Sequence, residues 1–387
     1  MRKEDRWLLP DGIEELLPPQ AAEVESARRK LLDKFEAWGY ELVVTPMVEF
    51  LDSLLTGTGS DLDLKTFKVT DQVSGRTMGI RADITPQVAR MDAHSLRRDG
   101  ESRLCYVGTV LHANADNMLA SRAPVSMGAE LFGDTAAGGD LEIVSLMLDS
   151  VASLSDQRLH VELGDVGIYR SLVAGAMLDP SDEQVLFDKI QGKALPDLAV
   201  LLADLNIDQT LAEKLVILPT LCGGESIIEQ GKAIYKDDPE ILSRIDNLSL
   251  IASQLRDRFP KVQLNYDLSE LRGYNYHTGI VFATYLGESG VRVAKGGRYD
   301  DVGSVFGRAR SATGFDIDLK LLARESSIAL PGRTIVEALA AYEQKNERWH
   351  KIVDLRESGY TVIEGNSSAA TKRLELQDGT WQLVDIQ

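Results

Sequence analysis

An acid, a hydroxyl and a proline stand close together in IRADITPQVARMDAH, residues 80–94. Thr85 is placed to cap a helix, Pro86 sits in its first turn, and Val88, Ala89 and Met91 begin the helix. Asp83 and Thr85 therefore lie just ahead of a helix N-terminus. A carboxylate there suits a ligand's ammonium, while the hydroxyl and backbone donors suit other polar atoms. Finishing the helix would employ the same two side chains, so spacing alone leaves both uses open. Other candidates for chemistry are few. Cys105 and Cys222 fit no metal-ligand spacing and point to a reducing compartment, the cytoplasm. His94, His160 and His350 show no ligand-like spacing and read as surface or packing residues. No metal is expected.

Periodicity supplies the elements that would hold these residues. Val24, Ala27, Leu31, Phe35 and Trp38 mark a helix closed by Gly39 as its C-cap, and 40–46 then 47–50 follow as strand. Residues 67–71 and 77–81 flank a Ser74-Gly75 turn and read as a hairpin. A longer hairpin runs through Leu104, Tyr106 and Val110, an Asn-, Ala-, Asp- and Ser-rich loop, and 125–132. A helix over 139–154 and a strand over 159–163 come next. Between 165 and 260 the pattern turns helical and polar, punctuated by Pro180, Pro196, Pro219 and Pro239, which predicts an insertion at about 166–260. Strand patterning resumes at 262–268, 271–285 and 291–295. Pro331-Gly332 marks a linker to a tail, 332–387, with a helix, a strand and a hairpin about Asp378-Gly379. The chain is thus expected to be α+β: an antiparallel sheet flanked by helices over 1–328, with a small C-terminal α/β domain.

Composition narrows the partners. With 44% apolar and 26% charged residues among 387, the chain is an ordinary globular sequence. Sixty acidic residues against forty-two basic ones give a formal charge of −18, which repels phosphates and argues against a tRNA binder. The start, MRKEDRWLLPDG, lacks the apolar core of a signal peptide, and no apolar run approaches bilayer-spanning length.

In the longer hairpin, Gly128, Glu130, Phe132 and Gly133 resemble the second strand of motif 2 in class II aminoacyl-tRNA synthetases, most closely the histidyl enzymes. The helix, glycine and strand ending in Pro46 and Glu49 resemble motif 1, which implies a self-dimer. Arg81, Asp83 and Thr85 resemble the stretch that holds the amino group of histidine. The Leu-Arg-Gly segment at 271–273, with Tyr276 and His277, and the run Gly296-Gly297-Arg298-Tyr299-Asp300 resemble the two histidine-binding signatures. By that resemblance Arg272 assists at an α-phosphate and Tyr276 and His277 lie where a tyrosine pair meets the imidazole. The helical insertion falls at the same point in the order.

The departures decide which relatives fit. His112 and Asn114 stand where motif 2 has an arginine and a glutamate, and Leu321 stands where motif 3 has its arginine. Ser126 replaces a glutamine of the amino-acid pocket. An arginine offers a phosphate five donors and a permanent charge, whereas a mostly neutral histidine offers one donor at a time. Asp316 and Asp318 would each oppose a triphosphate by about 1 to 4 kcal/mol. Aminoacylation is therefore expected to be lost, leaving no catalytic residues and no cofactor. That combination is similar to the ATP phosphoribosyltransferase regulatory subunits. The resemblance implies assembly with the short-form catalytic subunit into a hetero-octamer, activation of it, and feedback inhibition by histidine as effector. The implied histidine site is Asp83, Thr85, His112, Ser126, Glu130, Arg272, Tyr276 and His277. An active histidyl-tRNA synthetase, which would exchange pyrophosphate into ATP, and a partner-binding module on a borrowed fold are the alternatives.

Overall fold

Alternation along one strand explains much of the architecture. In Val125–Phe132, Met127, Ala129 and Leu131 enter the main core, while Ser126, Gly128 and Glu130 take the opposite face. The computed structural model describes residues 7–386 apart from 57–59, 116–119, 135–136, 206, 275, 288–289, 327, 329, 331 and 341–343. Residues 116–119 of the expected hairpin loop and Pro331 of the expected linker lie outside the described residues.

Among the described residues nine strands form the central sheet. Across it lie Glu41–Leu42, Ser102–Thr109, Val125–Phe132, Ala312–Asp318, Val291–Arg298, Ile280–Leu286, Leu159–Asp165, Gln263–Asp267 and Cys222–Gly223. From Ser102–Thr109 to Leu159–Asp165 every neighbouring pair is antiparallel. Parallel pairs occur only towards the margins, where Glu41–Leu42 and Gln263–Asp267 join. The helices Gln20–Ala37 and Ala137–Ala152 cover the core face. Gln20–Ala37 buries Ala27, Leu31 and Phe35, one apolar stripe at four-residue spacing. Phe35 meets Phe315 of the sheet edge to face at 5.9 Å. Truncating fully buried Leu31 of the same stripe to alanine would cost roughly 2 to 5 kcal/mol.

Several expectations need adjusting. Trp38 is the C-cap of the first helix, and Gly39 follows at φ +84°, where a side chain would be strained. Only Glu41–Leu42 of the 40–46 segment pairs as strand; the Thr45 and Pro46 carbonyls accept from Arg81 and Gln87 side chains instead. The described residues among 271–279 form turns and bends rather than strand, and the strand begins at Ile280. Among the described residues the regular elements of 166–260 are helices joined by short loops, with one short strand, Cys222–Gly223, and they share their core with the sheet. Leu186, Ile190, Leu248 and Ile251 join one buried cluster with the sheet's Leu163 and Phe282. Both cysteines are free thiols.

A second unit spans residues 329–387. Its sheet runs Thr361–Glu364, Ile335–Ala338, Lys372–Gln377, Thr380–Asp385, and the helix Lys345–Glu357 completes it. Val336, Ala338, Ile352, Leu355, Val362 and Leu374 form its own core. Asp378 and Gly379 both have positive φ, as a two-residue type I′ hairpin turn requires. No described helix is long and apolar enough to cross a membrane.

Candidate functional site

The sheet face turned away from the core helices carries a cavity of about 360 Å³ in the 1–328 unit. Its depth comes from missing side chains. A Cβ on Gly314 would stand 1.5 Å from Glu130 Oε2, and one on Gly128 would meet the Tyr106 hydroxyl at 2.5 Å. Gly314 pairs with Glu130 across the strands and Gly128 with Tyr106, so each glycine makes room for its cross-strand partner.

Glu130 lies at the bottom, fully buried. Its Oε1 accepts from Thr85 Oγ1 at 2.8 Å and its Oε2 from the Tyr299 hydroxyl at 2.5 Å. Loss of water raises its pKa to about 8, although both hydrogen bonds favour the carboxylate. Thr85 is the first helical residue of Thr85–Arg90, with Ile84 as N-cap, so the expected capping role is not its own. Asp83 does that work by accepting from the Thr85 amide at 3.0 Å. The Thr85 hydroxyl is thereby released to face Glu130. Arg81 does not reach the cavity as a ligand group; its guanidinium is spent on the Thr109 and Thr45 carbonyls and the Thr45 hydroxyl.

Tyr276 stacks on Tyr299 with ring centres 5.0 Å apart, and His277 meets Tyr276 edge-on at 5.3 Å. The Tyr276 hydroxyl and His277 Nδ1 are buried without a full hydrogen-bond partner. Such atoms are costly unless something fills the need, which makes them candidates to meet a ligand. Burial lowers the His277 pKa to about 4, so the ring is neutral near pH 7.

Arg272 is enclosed by acids. It donates to Glu270, to Glu162 and, at 3.0 Å, to the Tyr285 hydroxyl. Burial raises the Glu162 pKa. Burial opposes ionisation of Glu270 as well, but the hydrogen bonds and charge of Arg272 outweigh it and the pKa is lowered. Glu162 and Glu270 escaped the sequence reading because single acids carry no spacing signal; the strand parity that puts Glu162 opposite Ala283 on the cavity face was the one available clue.

Around the rim, His112 Nε2 donates to the Ala82 carbonyl at 3.0 Å, beside Asp83. Asp316 lines the wall, with its pKa raised to about 6 by burial. Asp318 instead caps the next helix by accepting from the Leu321 amide at 3.1 Å. Leu321 itself packs on the core. Ser126 shares the face but sits one pleat beyond Gly128, paired with Asp318, outside the cavity lining. The cavity therefore gathers Asp83, Thr85, His112, Glu130, Arg272, Tyr276 and His277, and leaves Ser126 apart. The Gly296–Asp300 run divides its work: Arg298 forms a buried ion pair with Asp140 at 2.9 Å, while Tyr299 reaches Glu130.

Residues 12–322 match the family model described as histidyl-tRNA synthetase. The chain is 49% identical to the ATP phosphoribosyltransferase regulatory subunit of Stutzerimonas stutzeri, over 99% of this chain and 98% of that protein. Among solved structures it resembles an ATP phosphoribosyltransferase regulatory subunit/histidyl-tRNA synthetase from Bacillus halodurans, with a TM-score of 0.80, 26% identity, and 95% and 94% of the two chains covered. The ATP phosphoribosyl transferase (HisG:HisZ) complex from Thermotoga maritima shares the fold at a TM-score of 0.59 and 20% identity, covering 79% of this chain and 98% of that one.

Proposed function

The chain belongs to the ATP phosphoribosyltransferase regulatory subunits, within the histidyl-tRNA synthetase family, and we propose that its cavity receives histidine as a feedback signal. It is a regulatory, non-catalytic subunit of ATP phosphoribosyltransferase, in histidine biosynthesis. Its partner is the catalytic ATP phosphoribosyltransferase chain. Our reading extends this to the short-form catalytic chain in a cytoplasmic hetero-octamer, with self-dimerisation through the segment around Pro46 and Glu49 and no role for tRNA.

One observation carries the histidine assignment. A cavity large enough for an amino acid combines Asp83 and Thr85 with the Glu130, Tyr276 and His277 group, while His112 and Leu321 occupy the two places where synthetases clasp ATP. Asp83 would take the ammonium. Glu130, Tyr276 and His277 would meet the imidazole with groups that are either donor or acceptor near pH 7.

Regulation follows by linkage. If histidine binds more tightly to the assembled state whose catalytic chains are slow, the affinity difference sets the inhibition, typically ~1 to 3 kcal/mol. Subunit contacts favouring the other state give activation in its absence. Titration calorimetry should show histidine binding to the full chain, and Asp83→Ala should weaken it about tenfold or more while relieving inhibition of the assembled enzyme. No heat of binding, together with unchanged inhibition in that variant, would withdraw the proposal.

A further inference from the structure

An amino acid brings an α-carboxylate as well as an ammonium, and the cavity must receive both. Arg272 is poorly placed to do so. Its Nε and Nη2 are given to Glu270, Nη2 also to Glu162, and Nη1 to Tyr285. A ligand carboxylate there would have to displace one of two acids already held. Ser126 is outside the lining, and the His112 Nε2 proton is given to Ala82.

Besides Lys65, which also lines this space, two cations reach it from the strand Val291–Arg298. Lys295 pairs in register with Asp316 and with Ala283, both on the cavity face. Its Nζ stands 4.0 Å from Asp316 Oδ1, at the outer limit of an ion pair, with its side chain about half exposed. Arg292, from the same strand Val291–Arg298, lines the same wall and forms no ion pair among the described residues. We infer that Arg292 and Lys295 form the subsite for the α-carboxylate of the bound amino acid, an assignment that rests on the histidine reading. A guanidinium and an ammonium on one strand suit a planar monoanion. The shared anion chemistry would also admit a phosphate. Asp83 and Asp316 border the same cavity, however, and a nucleotide's several negative charges would meet both acids, whereas a carboxylate brings one charge to two cations.

The test compares histidine, histamine, which lacks the carboxylate, and ATP, by calorimetry on the full chain and on Arg292→Gln/Lys295→Gln. Wild type should bind histidine at least about tenfold more tightly than histamine, and the double variant should lose that preference while keeping its affinity for histamine. Retained histamine binding also shows that the variant is folded. Equal wild-type affinity for the two ligands, an unaltered preference in the variant, or equal loss of both ligands would overturn the assignment. ATP bound by wild type and lost in the variant would give the pair to phosphate, against the proposal. Wild type that binds neither histidine nor histamine would remove the histidine reading itself, and this subsite with it.

Discussion

Glu130 should make itself felt through pH. Burial raises its folded pKa to about 8, against an ordinary value near 4.5, so it binds a proton more tightly folded than unfolded. Its contribution to stability is thus complete below about pH 4.5 and lost as pH rises through about 8. His277 has the opposite sign: with a folded pKa near 4 against an ordinary 6.5, its contribution is present above pH 6.5 and lost as pH falls towards 4. In Glu130→Gln the first dependence disappears and the second stays. The variant should gain on wild type by on the order of several kcal/mol between pH 5 and pH 8, read from urea midpoints. Parallel pH profiles for the two proteins would contradict the assignment. At this scale much of the site was legible, because Asp83, Thr85, Glu130, Tyr276 and His277 lie in short motifs. Arg272 was legible as a residue but not as a role, since one of the acids enclosing it, Glu162, comes from a distant strand, and the other, Glu270, is drawn to it by the local turn. Thr85 was misjudged as a cap because an N-terminal Thr-Pro pair satisfies the same rule whether or not Asp83 captures the amide first.

Elements were legible where a period of two or 3.6 ran uninterrupted, as in Gln20–Ala37 and in the hairpin of Ser102–Thr109 with Val125–Phe132. They were less so where side chains compete for the backbone. Residues 271–279 carry aromatic residues of high strand propensity, yet Gly273 adopts φ +73° and the chain turns. The strand Val291–Arg298 serves both layers, with Lys295 on the cavity face and Arg298 reaching Asp140 in the helix Ala137–Ala152. Thr313 also donates to Asp140, at 2.6 Å. Asp140→Ala would leave a largely buried guanidinium with weaker compensation from Asp300. Truncating one partner of such a pair should cost about 3 to 5 kcal/mol in chemical denaturation, and an Asp140→Leu/Arg298→Met pair should cost less than that single change. A loss within about 0.5 kcal/mol would mean that the ion pair does not anchor the strand.

For the whole molecule, the sequence indicated a sheet body and a small tail, but not that the helical segment 166–260 would merge its core with the sheet's. Helical periodicity reports a buried face without saying what covers it. The cavity lies wholly within residues 1–328, and the 329–387 unit has its own core. A chain ending at residue 328 should therefore hold histidine within about twofold of the full chain, by calorimetry. A loss beyond tenfold would show that the tail supports the site. The distribution of aromatic residues has a practical consequence for such experiments. No tryptophan is among the described residues that line the cavity, and Trp349 and Trp381 belong to the 329–387 unit, whereas Tyr276 and Tyr299 form part of the cavity wall. Tryptophan emission should pass over ligand entry almost unchanged, while the near-ultraviolet dichroism of the stacked phenol rings registers it, which gives a label-free signal for occupancy.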